Sequence, residues 1–325
     1  MKQQLFEQQN RQTWQQLQDL LQTLESTKKQ KPDQKNLLAF SSLYRSTCYD
    51  LALAKTRQYS PQLIERLHAL VMRAHQQLYR SKQIILWRIL SFIIIGFPAM
   101  VRHRSRLIWI STALFYLPAI LVGWLCYSNS EMIFSIVPES QVVEFETMYR
   151  PDNKVLGRNR ESATDIMMFG HYIQNNIGIG FRTFAGGLLL GVGSVLSLLF
   201  NGVVIGGVSG HLTQLGYIET FWSFVAGHSA FELTAICISG AAGLVLALAL
   251  FAPGRLRRLD ALQLAAQDAL VLVMGAALML VIAAFIEAFW SSSTVISPTV
   301  KYAVAVVMWS AVITYFLFAG RRHAG

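Results

Sequence analysis

The chain has 325 residues, 53% of them hydrophobic and only 14% charged, with a net charge of +10. Soluble domains carry about 25% charged residues. The deficit here is confined to residues 107–319, which excludes a wholly soluble protein. The positive charge does not mark a nucleic-acid protein, because it flanks the apolar runs: Arg102, Arg104 and Arg106 precede one, Arg255, Arg257 and Arg258 follow another, and Arg321 and Arg322 follow the last.

The three cysteines, Cys48, Cys126 and Cys237, form no CxxC, so neither a disulfide framework nor a thiolate metal site is expected. No cofactor is expected either. Residues 1–35 lack the apolar core of a signal peptide, so the first span is expected to act as its own insertion signal.

In chain order, Trp14, Leu17, Leu20, Leu21 and Leu24 recur at helical period. Lys28 to Lys35, with Pro32, break the pattern. A second helix is expected over 36–58. A third begins at Ser60-Pro61, where serine can cap and proline fits the first helical position. Residues 1–83 are therefore read as a three-helix cytoplasmic bundle that offers a surface to envelope-associated protein partners. Residues 84–106 contain an apolar stretch interrupted by Arg88 and by Gly96-Phe97-Pro98. They are expected to form an interfacial amphipathic helix and a basic linker.

Residues 107–325 read as a membrane domain of five or six helices, giving an all-α, multi-spanning protein. Residues 107–127 are the first clear span. Residues 128–170 carry mixed charges and no piece long enough to cross, so they are expected outside the cytoplasm. Placing Arg255, Arg257, Arg258 and the C-terminal arginines inside makes 229–252 run inward. Residues 128 and 228 then share the outer side, and the chain between them must return to where it started. The expectation is that 183–205 goes in, turns at Asn201-Gly202, and that 207–226 comes back as a buried or re-entrant segment.

On this topology His228, Glu232, Glu287, Arg182, Asn175 and Asn176 all come to the outer end of the bundle. Ionisable groups inside a membrane are functional candidates by default. The preferred reading is structural, with Glu232 and Glu287 pairing with Arg182 or with backbone amides. A second is a polar pathway past the two glutamates, as in a channel or transporter. A third is a metal or catalytic site built from His228, Glu232 and Glu287, with His171 as a further ligand, as in a metal-dependent hydrolase. No nucleophile elbow, P-loop or dinucleotide fingerprint is present. Gly187/Gly191, Gly202/Gly206 and Gly206/Gly210 each make GxxxG, and Gly240 and Gly243 add to them; such residues let helices approach closely, within one chain or between two copies of a homodimer.

Several pieces together resemble the stage II sporulation protein M family (DUF95). They are Arg11-Gln-Thr-Trp14, Leu43-Tyr44-Arg45 with Asp50-Leu51-Ala52, Asn175-Asn176-Ile-Gly, Phe200-Asn201-Gly202, His228-Ser-Ala-Phe-Glu232-Leu, Gly240-Ala-Ala-Gly243, Pro253-Gly254 and Phe285-Ile-Glu287. The resemblance implies a multi-pass protein of the bacterial inner membrane. In spore formers it implies an anchor or scaffold for peptidoglycan-degrading partners. It carries no catalytic residues, but recurrent Asn, His and Glu positions that correspond to Asn175, Asn176, Asn201, His228, Glu232 and Glu287. The reading is a non-enzymatic scaffold or assembly factor, homodimeric and in contact with membrane lipid, with both termini in the cytoplasm.

Overall fold

The computed structural model describes residues 3–26, 34–153, 155–157 and 165–321, with only the backbone of 24–26, 34–39, 78–85 and 165. Lys154, Arg158, Arg160 and Glu161 of the expected external segment, and Arg322, lie outside the described residues. The chain divides into two compact units, Met1–Leu90 and Ser91–Gly325. Among the described residues there are helices and no strands.

The first unit contains α1 (Gln3–Ser26), α2 (Gln34–Thr56) and most of α3 (Pro61–Ser91). The periodic residues form its core: Trp14, Leu17 and Leu21 from α1, Phe40, Leu51 and Ala54 from α2, and Leu63, Leu67, Leu70 and Ala74 from α3. Leu24, Leu37 and Leu78, on the same apolar faces, have side chains outside the described set. Trp14 Nε1 donates to Asp50 Oδ2 at 2.8 Å in this core. Tyr44 Oη lies 3.1 Å from His75 Nδ1, and Arg45 Nε donates to the Ser41 carbonyl. Ser60 is held by the amide of Gln3, which donates to Ser60 Oγ and accepts from Ser60 N.

The second unit starts with a π-helical turn, Phe92–Gly96, and α4 (Phe97–His103). This stretch differs from the expected surface-lying helix. The Phe97 ring fills the space left by Gly275, where a Cβ would overlap it, and packs edge-on against Phe316. Arg102 Nη1 donates to Phe316 O at 2.9 Å, and Tyr315 Oη donates to Ile93 O. An aromatic ring with a matching hole in the bundle gains more from packing than from lying at an interface.

The bundle proper consists of α5 (Ser105–Ser128) and, after the short α6 (Glu139–Met148), α7 (Asp165–Ala185), α8 (Val192–Gln214), α9 (Ser223–Phe251), α10 (Arg258–Ile286) and α11 (Pro298–Phe318). By length and apolar composition, Ser105–Ser128, Val192–Gln214, Ile218–Phe251, Arg258–Ser291 and Pro298–Phe318 can cross a membrane, as can Leu86–His103. Helix α7 falls outside that set yet runs through the bundle. Its Asn176 meets Glu287, its Gly180 packs on Leu280 and Ser239, and its Thr183 and Phe184 carbonyls face Gly243. The expected path of 183–226 is therefore corrected. The chain turns at Gly186–Gly191, not at Asn201-Gly202, and α8 is one unbroken helix through Asn201. The stretch 207–226 is the end of α8, a short turn and the start of α9. Leu190 and Gly191 (φ 53° and 81°) break the helix where an apolar run looked continuous.

Small residues set the helix spacing. Gly202, Gly206 and Gly210 of α8 lie against the backbone of α5 at Phe115, Ala119 and Gly123, in parallel register. Gly187 lies against Gly243, Gly191 against Ala247, Gly240 against Ser111 and Leu198, and Gly243 also against Ser194. The GxxxG spacings are thus occupied by neighbours within one chain.

Candidate functional site

Helix α9 lies at the centre of the bundle and brings His228 and Glu232 one turn apart on a face turned to the end of α10. There α10 loosens into a π-helical turn, Glu287–Ser291. A π-turn carries one extra residue per hydrogen-bonded ring and often marks a functional position. Gly227 allows this turn to approach, since its Cβ position would sit 2.9 Å from Ser291 Oγ.

The result is a compact polar group. His228 Nε2 stands 3.6 Å from Glu232 Oε2, and the ligand-type atoms of His228, Glu232 and Glu287 all lie within 4.8 Å of one another. His228 is 6% exposed, and its Nδ1 lies 3.1 Å from Ser291 Oγ. Asn176, buried on α7, donates to Glu287 Oε2 at 3.4 Å and accepts from Asn175 on its own helix.

Three more features frame the group. Lys301 of α11 is buried and donates to the Ser291 carbonyl at 2.8 Å, so Ser291 links α9, α10 and α11. The segment between α5 and α7 closes over the same end: Leu156 N donates to Ser292 O, and the Cβ position of Gly157 (φ 89°) faces the Phe224 ring and Tyr172 Oη. The Phe224 ring in turn lies 5.2 Å from that of His228. From the side, a cleft of about 580 Å³ between α5, α8 and α9 reaches His228, Ser229 and Glu232.

Not every expected residue is here. Arg182 lies two turns further along α7 than Asn175, is exposed, and forms no ion pair with Glu232 or Glu287. Its expected role was tied to a helix starting near residue 183, whereas α7 ends at Ala185. Asn201, in mid-α8, donates to the Ser197 carbonyl of its own helix at 2.7 Å and is outside the group. His171 is half-buried on α7 against Tyr172 and is not one of the three clustered ligand residues. Sequence reasoning missed Lys301 and Ser291. Lys301 was the visible signal, as the one charged residue between Pro298 and Phe318. A second polar pair sits at the same end, His211 Nε2 to Glu146 Oε1 at 2.8 Å, and it explains how His211 is accommodated at the end of α8.

A family model described as stage II sporulation protein M matches residues 112–292, more than half of the chain. The chain belongs to the stage II sporulation protein M family. The family match takes in α7 to α10 and hence His228, Glu232, Glu287 and Asn176, while Lys301 lies beyond it. A second model, a domain of unknown function (DUF8413), matches residues 4–80, within the first unit. Searches of curated proteins and of solved structures found no match. This member of the stage II sporulation protein M family is a multi-pass membrane protein whose polar group sits at one end of a helical bundle.

Proposed function

We propose that the chain is a non-enzymatic scaffold or assembly factor for a cell-envelope process, held in the bacterial inner membrane. The observation that carries this is the packing of α9 beyond Glu232: every residue from Ala235 to Gly243 is buried, with glycine backbone against neighbouring helices. A transport pathway needs a polar or hydrated route past the glutamates, and close-packed apolar residues occupy the centre of the bundle there. A rigid body of this kind suits anchoring, and the first unit, Met1–Leu90, supplies a separate helical surface for partners. The basic residues Arg102, Arg104, Arg255, Arg257, Arg258 and Arg321 lie at the ends of helices α4, α5, α9, α10 and α11 on the side away from His228. The positive-inside bias supports a cytoplasmic location for that side in this reading.

The test is twofold. Proteoliposomes of the purified chain show no ion flux above empty liposomes, and membrane complexes captured by the full chain are lost on removal of residues 1–83. Flux that Glu232→Gln abolishes would replace the scaffold with a channel.

A further inference from the structure

We propose that His228, Glu232 and Glu287 bind one divalent transition-metal ion that links α9 to α10 inside the membrane. The cluster is more than a group of acids. It holds one imidazole and two carboxylates from two helices, with ligand atoms within 4.8 Å of one another. Ligands bound at about 2.0–2.2 Å to a common ion stand no more than about 4.4 Å apart, so small rotations of the carboxylates close the site.

The independent observation is the state of the imidazole. His228 is 6% exposed, yet only Nδ1 has a hydrogen-bonding partner, Ser291 Oγ at 3.1 Å. Among the described residues its Nε2 makes no hydrogen bond and points to Glu232 Oε2 across 3.6 Å, and Glu232 accepts none. Nε2 therefore faces carboxylate oxygen with no hydrogen bond fixing it, a position suited to a cation held between imidazole and carboxylate. Metal-bound histidines have this arrangement: the second nitrogen is fixed by a neighbour so that the first presents its lone pair. Asn176 orients Glu287 in a similar way, donating to its Oε2.

The donor set selects the ion. One nitrogen and two hard oxygens suit zinc, manganese or iron(II) rather than a soft cation held by thiolates. Three protein ligands leave a position open, and the cleft between α5, α8 and α9 reaches both His228 and Glu232 as a route of entry.

The experiment uses untagged full-length protein in nanodiscs, freed of metal and titrated with Zn²⁺ against a chromophoric chelator, with elemental analysis of the product. One Zn²⁺ per chain is expected. Glu232→Gln, Glu287→Gln and His228→Ala each weaken binding at least about 100-fold, while Glu146→Gln, which alters the other histidine–carboxylate pair, leaves it unchanged. X-ray absorption of the wild-type zinc form shows one imidazole nitrogen and carboxylate oxygens at about 2.0–2.2 Å. Absence of Zn²⁺, Mn²⁺ and Fe²⁺ binding, equal binding by all variants, or a spectrum without imidazole overturns the proposal. The spectrum needs no variant, so a substitution that unfolds the chain does not blur the result.

Discussion

His228 Nδ1 lies 3.1 Å from Ser291 Oγ, which ties the central helix to the π-turn ending α10 and sets the direction of the imidazole. Ser291→Ala removes that hold without touching a proposed ligand. Orienting partners of this kind affect metal affinity about 10–100-fold. Zn²⁺ affinity of the Ser291→Ala protein is therefore expected to fall by that factor while stoichiometry stays at one. An unchanged affinity would show that the ring is held by its packing against Phe224 alone.

Lys301 is the other side of the same joint. Its ammonium, buried on α11, donates to the Ser291 carbonyl at 2.8 Å. Lys301→Met keeps the length of the side chain and removes the donor. A buried acceptor left unsatisfied costs about 1–3 kcal/mol. Thermal unfolding in detergent should shift down accordingly.

The parallel contact of α5 and α8 is a backbone contact. Gly206→Val places methyl groups where the Ala119 carbonyl stands, and Gly210→Val does the same at Gly123. Overpacking typically costs about 1–3 kcal/mol, and here the obstacle is backbone that cannot swing aside. Gly170, in α7 with nothing within 4 Å of its Cβ position, is the contrast: Gly170→Ala is expected to be neutral or stabilising by up to about 1 kcal/mol. Denaturant unfolding of the four proteins ranks them.

In the first unit, burial of Asp50 pushes its carboxyl above the usual carboxylate range, and the hydrogen bond from Trp14 pulls it partly back. A raised pKa means that the folded state binds its proton more tightly than the unfolded chain. This contribution to stability is complete below the unfolded value of 3.8 and is lost as pH rises through the folded value. Asp50→Asn keeps an acceptor for Trp14 without the charge. At neutral pH it is expected to match or exceed wild type, whereas Asp50→Ala strands the indole N–H and costs about 1–3 kcal/mol. Hydrogen exchange of α1 to α3 amides across pH 3–8 distinguishes them. Greater protection of wild type than of Asp50→Asn at neutral pH would contradict the argument.

How much of this was legible beforehand varies with the physics of each element. Trp14, Leu17 and Leu21 advertise their helix because period 3.6 needs only neighbours in sequence. The apolar runs of α8 to α11 declare themselves because a bilayer demands length and hydrophobicity from each segment by itself. Helix α7 does not, since Asn175, Asn176 and Arg182 dilute its apolar character, and Asn176 becomes acceptable in the bundle only through Glu287 on α10. Nor could an apolar run reveal the break at Leu190–Gly191.

From the chain alone come the membrane class, the N-terminal helices, the family, and the candidacy of His228, Glu232 and Glu287, because composition, periodicity and charge bias act locally along the chain. The tertiary structure decided which of those polar residues meet. It joined His228 to Ser291 and Asn176 to Glu287, sent Arg182 and Asn201 elsewhere, and added Lys301. The reason is that a polar group buried in an apolar bundle must find its partner across helices, and which helices lie side by side is settled by glycine contacts far apart in sequence, such as Gly206 on Ala119.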